Sequence, residues 1–235
     1  ISKGLVGSEM CIRDRPYTTE SKRYKDLISR IDKPLVTGFF STKGGYLYNS
    51  VVNSEQSAIY NKRKLVPFGE YIPFERYLRG LIAFFDMPMS NITRGNLTVE
   101  MDVGHKTFTP LVCFDIVFRE IVRKDVKSSN YIINVSNDTW FGNSFGPYQH
   151  LEISRIRAAE NHIPIIRATN DGISALISSN GTIVDYIGKG ESGILNVKLV
   201  PTDVRTFYNY YGDLFTYFYI LIVFLLMFLG RMRNA

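Results

Sequence analysis

TFTPLVCF at residues 107–114, IVFREIVRKDV at 116–126 and YIINV at 131–135 follow one another with few residues between them. The first and third are apolar runs of strand length, rich in β-branched and aromatic side chains, and both read as buried strands. The middle piece mixes apolar and charged residues at helical spacing and predicts an amphipathic helix. Strand, helix and strand in this order decide for an α/β fold.

The same alternation continues on both sides. Upstream, the polar stretch Tyr17 to Lys33 predicts a helix. Pro34 to Phe40 and Tyr46 to Val52 then read as strands around the turn Lys43-Gly44-Gly45. Downstream, Pro147 suits the first turn of a helix running through His162. Ile163 to Ala168, Ile173 to Ser178 and Thr182 to Ile187 predict three strands, the last two joined at Ser179-Asn180-Gly181, and Gly193 to Val200 closes the sheet by alternation.

With 235 residues and 45% hydrophobic composition, the chain holds one sizeable domain and a small appendage. The net charge is +6, but Lys and Arg are scattered without a basic stripe, which argues against a nucleic-acid partner. Cys11 and Cys113 lie far apart in unlike surroundings, so neither a disulfide framework nor a thiolate zinc site is expected. His150 and His162 have no metal-ligand arrangement, and Arg155, Arg157 and Glu160 read as a structural ion-pair set on one helix.

The two ends differ from the middle. Ile1 to Arg15 (ISKGLVGSEMCIRDR) shows neither helical nor strand periodicity and resembles translated adaptor sequence, so it is expected to replace a native segment and is set apart from the fold. Leu214 to Gly230 (LFTYFYILIVFLLMFLG) carries no charge. As a helix it spans roughly 25 Å, enough to cross a bilayer at its short limit. Tyr208, Tyr210, Tyr211, Tyr217 and Tyr219 crowd its start, and Arg231 and Arg233 follow its end. An aromatic belt and a positive flank in these places predict the α/β domain outside the cytoplasm.

Cys113 ends an apolar strand just before the expected helix, where a helix dipole favours the thiolate. A lone cysteine is as readily a small core hydrophobe, and its company decides between the two. Tyr60-Asn-Lys-Arg-Lys-Leu-Val-Pro-Phe-Gly-Glu70 gathers three cations and a carboxylate in a turn-bearing segment. Together with Leu111-Val-Cys-Phe-Asp115 and Ser136-Asn-Asp-Thr-Trp-Phe-Gly142, it resembles the signature blocks of the apolipoprotein N-acyltransferases, a membrane branch of the nitrilase superfamily. The resemblance runs from about Pro34 to the carboxy terminus and includes Gly146 to His150, Arg155 to Glu160 and Arg167 to Ser174.

This resemblance implies a nitrilase-like αββα sandwich, truncated at its amino end and followed by one transmembrane helix. The expected division is a non-native leader at 1–15, a catalytic domain at 16–205, and the membrane helix with its basic tail at 206–235. Of the family's Glu-Lys-Cys triad, Cys113 matches the nucleophile and Lys62 the lysine, while Glu70 matches a second glutamate that orients the lysine or the attacking amine. The backbone N–H of Phe114 is the implied oxyanion donor. The general-base glutamate belongs to an earlier Trp-Pro-Glu block with no match here, and Glu20 does not stand in that context.

Phe114-Asp115 stands where the family has Tyr-Glu, so both residues are expected on the substrate side with an altered role for Asp115. Trp140 reads equally as an acyl-chain contact and as a core residue. The implied partners are a phospholipid acyl donor, diacylglyceryl apolipoproteins and the bilayer, without metal or organic cofactor. The implied location is the bacterial inner membrane, with catalysis on the periplasmic side. Two rival readings remain: a nitrilase-type amidase acting on small C–N bonds, and an inactive membrane-anchored fragment.

Overall fold

The computed structural model describes residues 5–9, 29–56, 58–71, 73 and 92–233. Two sheets pack face to face. The first runs β1 (Leu5–Glu9), β2 (Leu35–Lys43), β3 (Tyr46–Asn53) and β4 (Ile59–Asn61) in spatial order. β2 and β3 form a hairpin closed by the Lys43–Tyr46 pair, and both turn residues, Gly44 (φ 59°) and Gly45 (φ 80°), are left-handed. A tight hairpin turn of this hand requires that conformation, which glycine adopts without strain.

The second sheet contains β5 (Met101–Val103), β6 (Lys106–Val112), β7 (Tyr131–Asn137), β8 (Ile165–Asn170), β9 (Ser174–Ile177) and β10 (Ile183–Ile187). Its spatial order is β10-β9-β8-β7-β6-β5. β6, β7 and β8 are parallel, and the strands outside them antiparallel. The parallel connections pass through helices α1 (Arg119–Asp125) and α2 (Gly146–Asn161), which cover the face turned away from the first sheet.

β7 is buried along its whole length, so its alternation sorts side chains between two cores. Tyr131, Ile133 and Val135 point between the sheets, with Val36, Val51, Tyr60, Met101, Phe108 and Val112. Ile132 points to the helices, with Leu111, Val122, Leu151, Ala158 and Ile165. Asn134 and Ser136 share the parity of Ile132, which commits polar groups to the helix side of the sheet.

A short helix α3 (Phe207–Tyr211) leads into α4 (Leu214–Arg233). Thr206 Oγ1 caps α3 by accepting from the Asn209 N–H at 3.1 Å. Buried Asn209 donates to the Arg123 carbonyl at 3.1 Å and to Asn161 Oδ1 at 2.7 Å. The root of α4 is thereby tied to α1 and α2, while Leu214–Met232 is wholly exposed with a mean hydropathy of 2.1.

Four sequence expectations change. Leu5–Glu9 forms a strand parallel to β2 where no periodicity pointed to one. Gly193 to Val200 makes no strand: Leu195, Val197 and Leu199 do turn inward in alternation, but no described strand pairs with them. Period-2 burial thus marks an extended segment lying on the core without a hydrogen-bonded ladder. β6 ends at Val112, and Cys113–Val117 is a 3-10 turn, with the α-helix starting only at Arg119. The dipole expected at Cys113 is therefore that of a single short turn. Arg155 pairs with Glu152 at 2.8 Å, and only Arg157 pairs with Glu160. The helix expected at Tyr17 to Lys33 falls mostly outside the described residues.

Candidate active site around Cys113

Cys113 follows the carboxyl end of β6, one of the second sheet's three parallel strands, at the edge where open α/β sheets place their ligand sites. It is buried, forms no disulfide among the described residues, and adopts φ 45°. A non-glycine residue held left-handed costs about 1–3 kcal/mol, and such strain persists only where surrounding contacts impose it. Those contacts come from two polar clusters, one on each side of the second sheet.

The first cluster lies on the side of the first sheet. Lys62, immediately after β4, is 1% exposed and its Nζ stands 2.8 and 2.7 Å from the two carboxylate oxygens of Glu70. Glu70 also accepts from Asn49 Nδ2 at 3.1 Å and from the Val66 N–H at 2.8 Å. It is an ordered, buried carboxylate and not a solvated loop residue. Two residues before Lys62, the Tyr60 hydroxyl donates to Asp115 Oδ2 at 2.8 Å, and the Lys64 N–H donates to Asp115 Oδ1 at 2.8 Å. These bonds clamp the segment 60–64 onto the turn that begins at Cys113. Burial holds the Asp115 carboxyl above its ordinary value despite the Lys62 charge and the Tyr60 hydrogen bond.

The second cluster lies between the sheet and α2. Arg167 on β8, 1% exposed, donates from Nη1 to Asn134 Oδ1 at 2.6 Å and from Nη2 to Asp138 Oδ2 at 2.7 Å. Ser136 Oγ donates to Asp138 Oδ1 at 2.7 Å. His150, from the second turn of α2, places Nδ1 3.0 Å from Arg167 Nη2 and 3.1 Å from Asp138 Oδ1, and Nε2 3.2 Å from the Cys113 carbonyl oxygen. Burial raises the Asp138 carboxyl, but contact with His150, the Arg167 guanidinium and the Ser136 hydroxyl bring it down to about 2. Burial and then the Arg167 charge hold His150 below its ordinary value, which favours the neutral ring. A Cβ on Gly172 would lie 2.4 Å from Asp138 Oδ2, which explains a glycine in the Arg167 to Ser174 block.

Of the residues expected at the site, Lys62 and Glu70 meet directly, and Asp115 is tied to Lys62's segment and belongs to Cys113's turn. Asp115 is fully buried, and both its oxygens accept hydrogen bonds. Phe114 is half-buried, edge-on to Phe118 with centroids 5.2 Å apart. Trp140 is 57% exposed, so of its two readings the core residue is set aside. The cluster of Asp138, His150 and Arg167 was not foreseen. Its members lie in three separate sequence blocks, and only the strand register, which pairs Asn134 with Arg167, joins them.

The carbon-nitrogen hydrolase profile matches residues 12–209. The chain belongs to the carbon-nitrogen hydrolase family. Among curated relatives of this family member, the apolipoprotein N-acyltransferase of Vibrio parahaemolyticus is 37% identical over 199 residues, which are 79% of this chain and 39% of that protein. The apolipoprotein N-acyltransferase of Pseudomonas aeruginosa is 42% identical over 171 residues, 72% of this chain and 33% of that protein. The chain thus spans between 33% and 39% of the length of these two relatives. In fold it is similar to a glutamine-dependent NAD+ synthetase from Acinetobacter baumannii, with a TM-score of 0.60 and 17% identity over 80% of this chain and 37% of that one. A carbon-nitrogen hydrolase from Helicobacter pylori gives a TM-score of 0.55 and 16% identity over 72% of this chain and 63% of that one.

Proposed function

We propose that this chain carries the nucleophile of an apolipoprotein N-acyltransferase. The observation that carries the reading is the buried Lys62–Glu70 pair, borne by the segment whose Tyr60 hydroxyl and Lys64 N–H grip the Cys113 turn. Cys113 Sγ, as thiolate, attacks the ester carbonyl of a phospholipid. The S–C bond forms, the C–O bond to glycerol breaks, and the lysophospholipid leaves with the proton given up by the thiol. The α-amino nitrogen of a diacylglyceryl cysteine then attacks the thioester, forming the amide, while the C–S bond breaks and the amine proton returns to the protein. The acyl group is held on sulfur between the steps, so the scheme calls for no cofactor.

Lys62 lowers the thiol pKa and stabilises the developing oxyanion, and Glu70 fixes the ammonium in place. Phe114 N–H is the second oxyanion donor, and exposed Trp140 meets the acyl chain at the rim. α4 belongs in the bilayer: the apolar surface of Leu214–Met232 is too large to leave in water. The protein then sits in the bacterial inner membrane with both clusters on the periplasmic side.

The chemistry is tested by intact mass. The chain, and a longer form translated from the genomic sequence upstream of codon 16, are incubated in phospholipid micelles without acceptor. An acyl adduct labile to hydroxylamine should accumulate, vanish in Cys113→Ser, and form about 10²- to 10³-fold more slowly in Lys62→Ala. Turnover of small amides without a lipid adduct would mean an amidase instead. For the topology, a cysteine added after Ala235 should react with an impermeant maleimide only once the inner membrane is opened. Reaction in intact spheroplasts would reverse the orientation.

A further inference from the structure

His150 has no role in the scheme above, yet it touches the one backbone group that scheme depends on. A trans peptide unit points its C=O and its N–H in opposite directions, so whatever fixes one fixes the other. The unit between Cys113 and Phe114 contributes the Cys113 carbonyl at one end and the Phe114 N–H at the other. The carbonyl can only accept, so His150 Nε2 carries the proton of the bond at 3.2 Å. Nδ1 stands between Arg167 Nη2, which can only donate, at 3.0 Å and the Asp138 carboxylate, which can only accept, at 3.1 Å, and the proton on Nε2 is required whichever of the two it serves. The ring is thus held in place from the far side, because Arg167 is itself locked by Asp138 and Asn134. The Phe141 ring stands against the imidazole at 6.0 Å between centroids, and the Ser154 hydroxyl, at 2.9 Å, donates to the His150 carbonyl.

We infer that His150 is a positioning residue for the oxyanion site: by donating from Nε2 to the Cys113 carbonyl, it aims the Phe114 N–H at the place where negative charge develops. The inference rests on Cys113 being the nucleophile. It also accounts for the backbone at Cys113, since a carbonyl held from α2 is one of the contacts that keep φ at 45°. A carbonyl that accepts a hydrogen bond also makes the N–H of the same peptide a stronger donor.

The test compares two reactions of the same sulfur in this chain held in detergent micelles. Acylation by a p-nitrophenyl ester passes through an oxyanion: Sγ bonds to the carbonyl carbon and p-nitrophenolate leaves. Alkylation by iodoacetamide displaces iodide directly and forms no oxyanion. In His150→Gln the amide nitrogen reaches the position of Nε2 and can still donate to Cys113. In His150→Asn the amide reaches only the position of Nδ1, where its oxygen can accept from Arg167 or its nitrogen donate to Asp138, and the carbonyl bond is lost. The ratio of acylation to alkylation should fall about 10- to 10²-fold in His150→Asn, less than the loss of a whole donor, and stay within about 3-fold of wild type in His150→Gln.

Equal ratios in the two variants, or parallel loss of both reactions, would overturn the inference. If His150→Asn does not fold, the same ratio is read on His150→Met, which fills the ring's volume without a donor. An ester-derived label that survives Cys113→Ala would instead remove the nucleophile assignment, and the inference with it.

Discussion

Asp115 and Asp138 are both sealed from solvent, and their clusters approach the Cys113 turn from opposite faces of one sheet, yet their carboxyls shift in opposite directions. Asp115 receives a phenol and backbone N–H groups, while the nearest guanidinium, that of Arg63, is directed to Asp125. Burial therefore prevails and its carboxyl moves up. Asp138 meets the His150 ring at 3.1 Å, the Arg167 guanidinium at 2.7 Å and the Ser136 hydroxyl, and moves down to about 2. Equal burial does not make equal acids. Direct polar contacts decide the sign, the His150 ring and the Arg167 cation together, because such attractions are strongest where water is excluded.

The sharpest way to break this contrast is to remove the charge from Asp138. Asp138→Asn leaves Arg167 as a buried cation without a counter-charge and should cost about 3–5 kcal/mol. For a chain of this size that lowers the thermal midpoint by on the order of 10 °C, read by circular dichroism in micelles. Asp115→Asn removes no direct ion pair and should cost about 1 kcal/mol. Equal losses in the two variants would mean that burial, and not the cation, governs both sites.

Titration comes next in size. Asp138 has a folded value below its unfolded one, so the stability it contributes is complete above about pH 4 and is lost as pH falls toward 2, by about 2 kcal/mol in all. Asp115 has the opposite sign, and protonating it relieves the fold over its own range. His150, held low, adds stability above about pH 6.5 that is lost as pH falls through its folded value. Arg167→Met removes the repulsion from that ring, so the loss of stability just below pH 6.5 should shrink. An unchanged slope in denaturant titrations there would remove Arg167 as a cause of the His150 shift.

The smallest effect is expected at the surface of α2. Arg155 and Glu152 form an ion pair with side chains 38% and 55% exposed, and Arg155→Ala should change stability by less than about 1 kcal/mol. A loss comparable to that of Asp138→Asn would show that position on α2, and not enclosure of the charge, makes these groups matter.

The order of strands and helices from residue 107 to 187 and the apolar tail helix were legible in the chain itself, and Lys62, Glu70 and Cys113 could be picked out from it as candidates. They depend on local information: periodicity marks which face of a segment is buried, and a short block carries a lysine, a glutamate or a cysteine in recognisable company. Lys62 and Glu70 stand eight residues apart, so one turn-bearing segment was enough to bring them together. The strand at Leu5–Glu9 and the missing ladder at Gly193 to Val200 were not legible, because pairing depends on what lies alongside. The same holds for Asn134, Asp138, His150 and Arg167. Their register across two parallel strands, and the turn of α2 that swings an imidazole under the Cys113 carbonyl, exist only after the sheet has formed. Side-chain type and spacing are properties of the chain, whereas direct contact between a buried cation and a buried carboxylate is a property of packing, and here packing sets the direction in which each aspartate shifts.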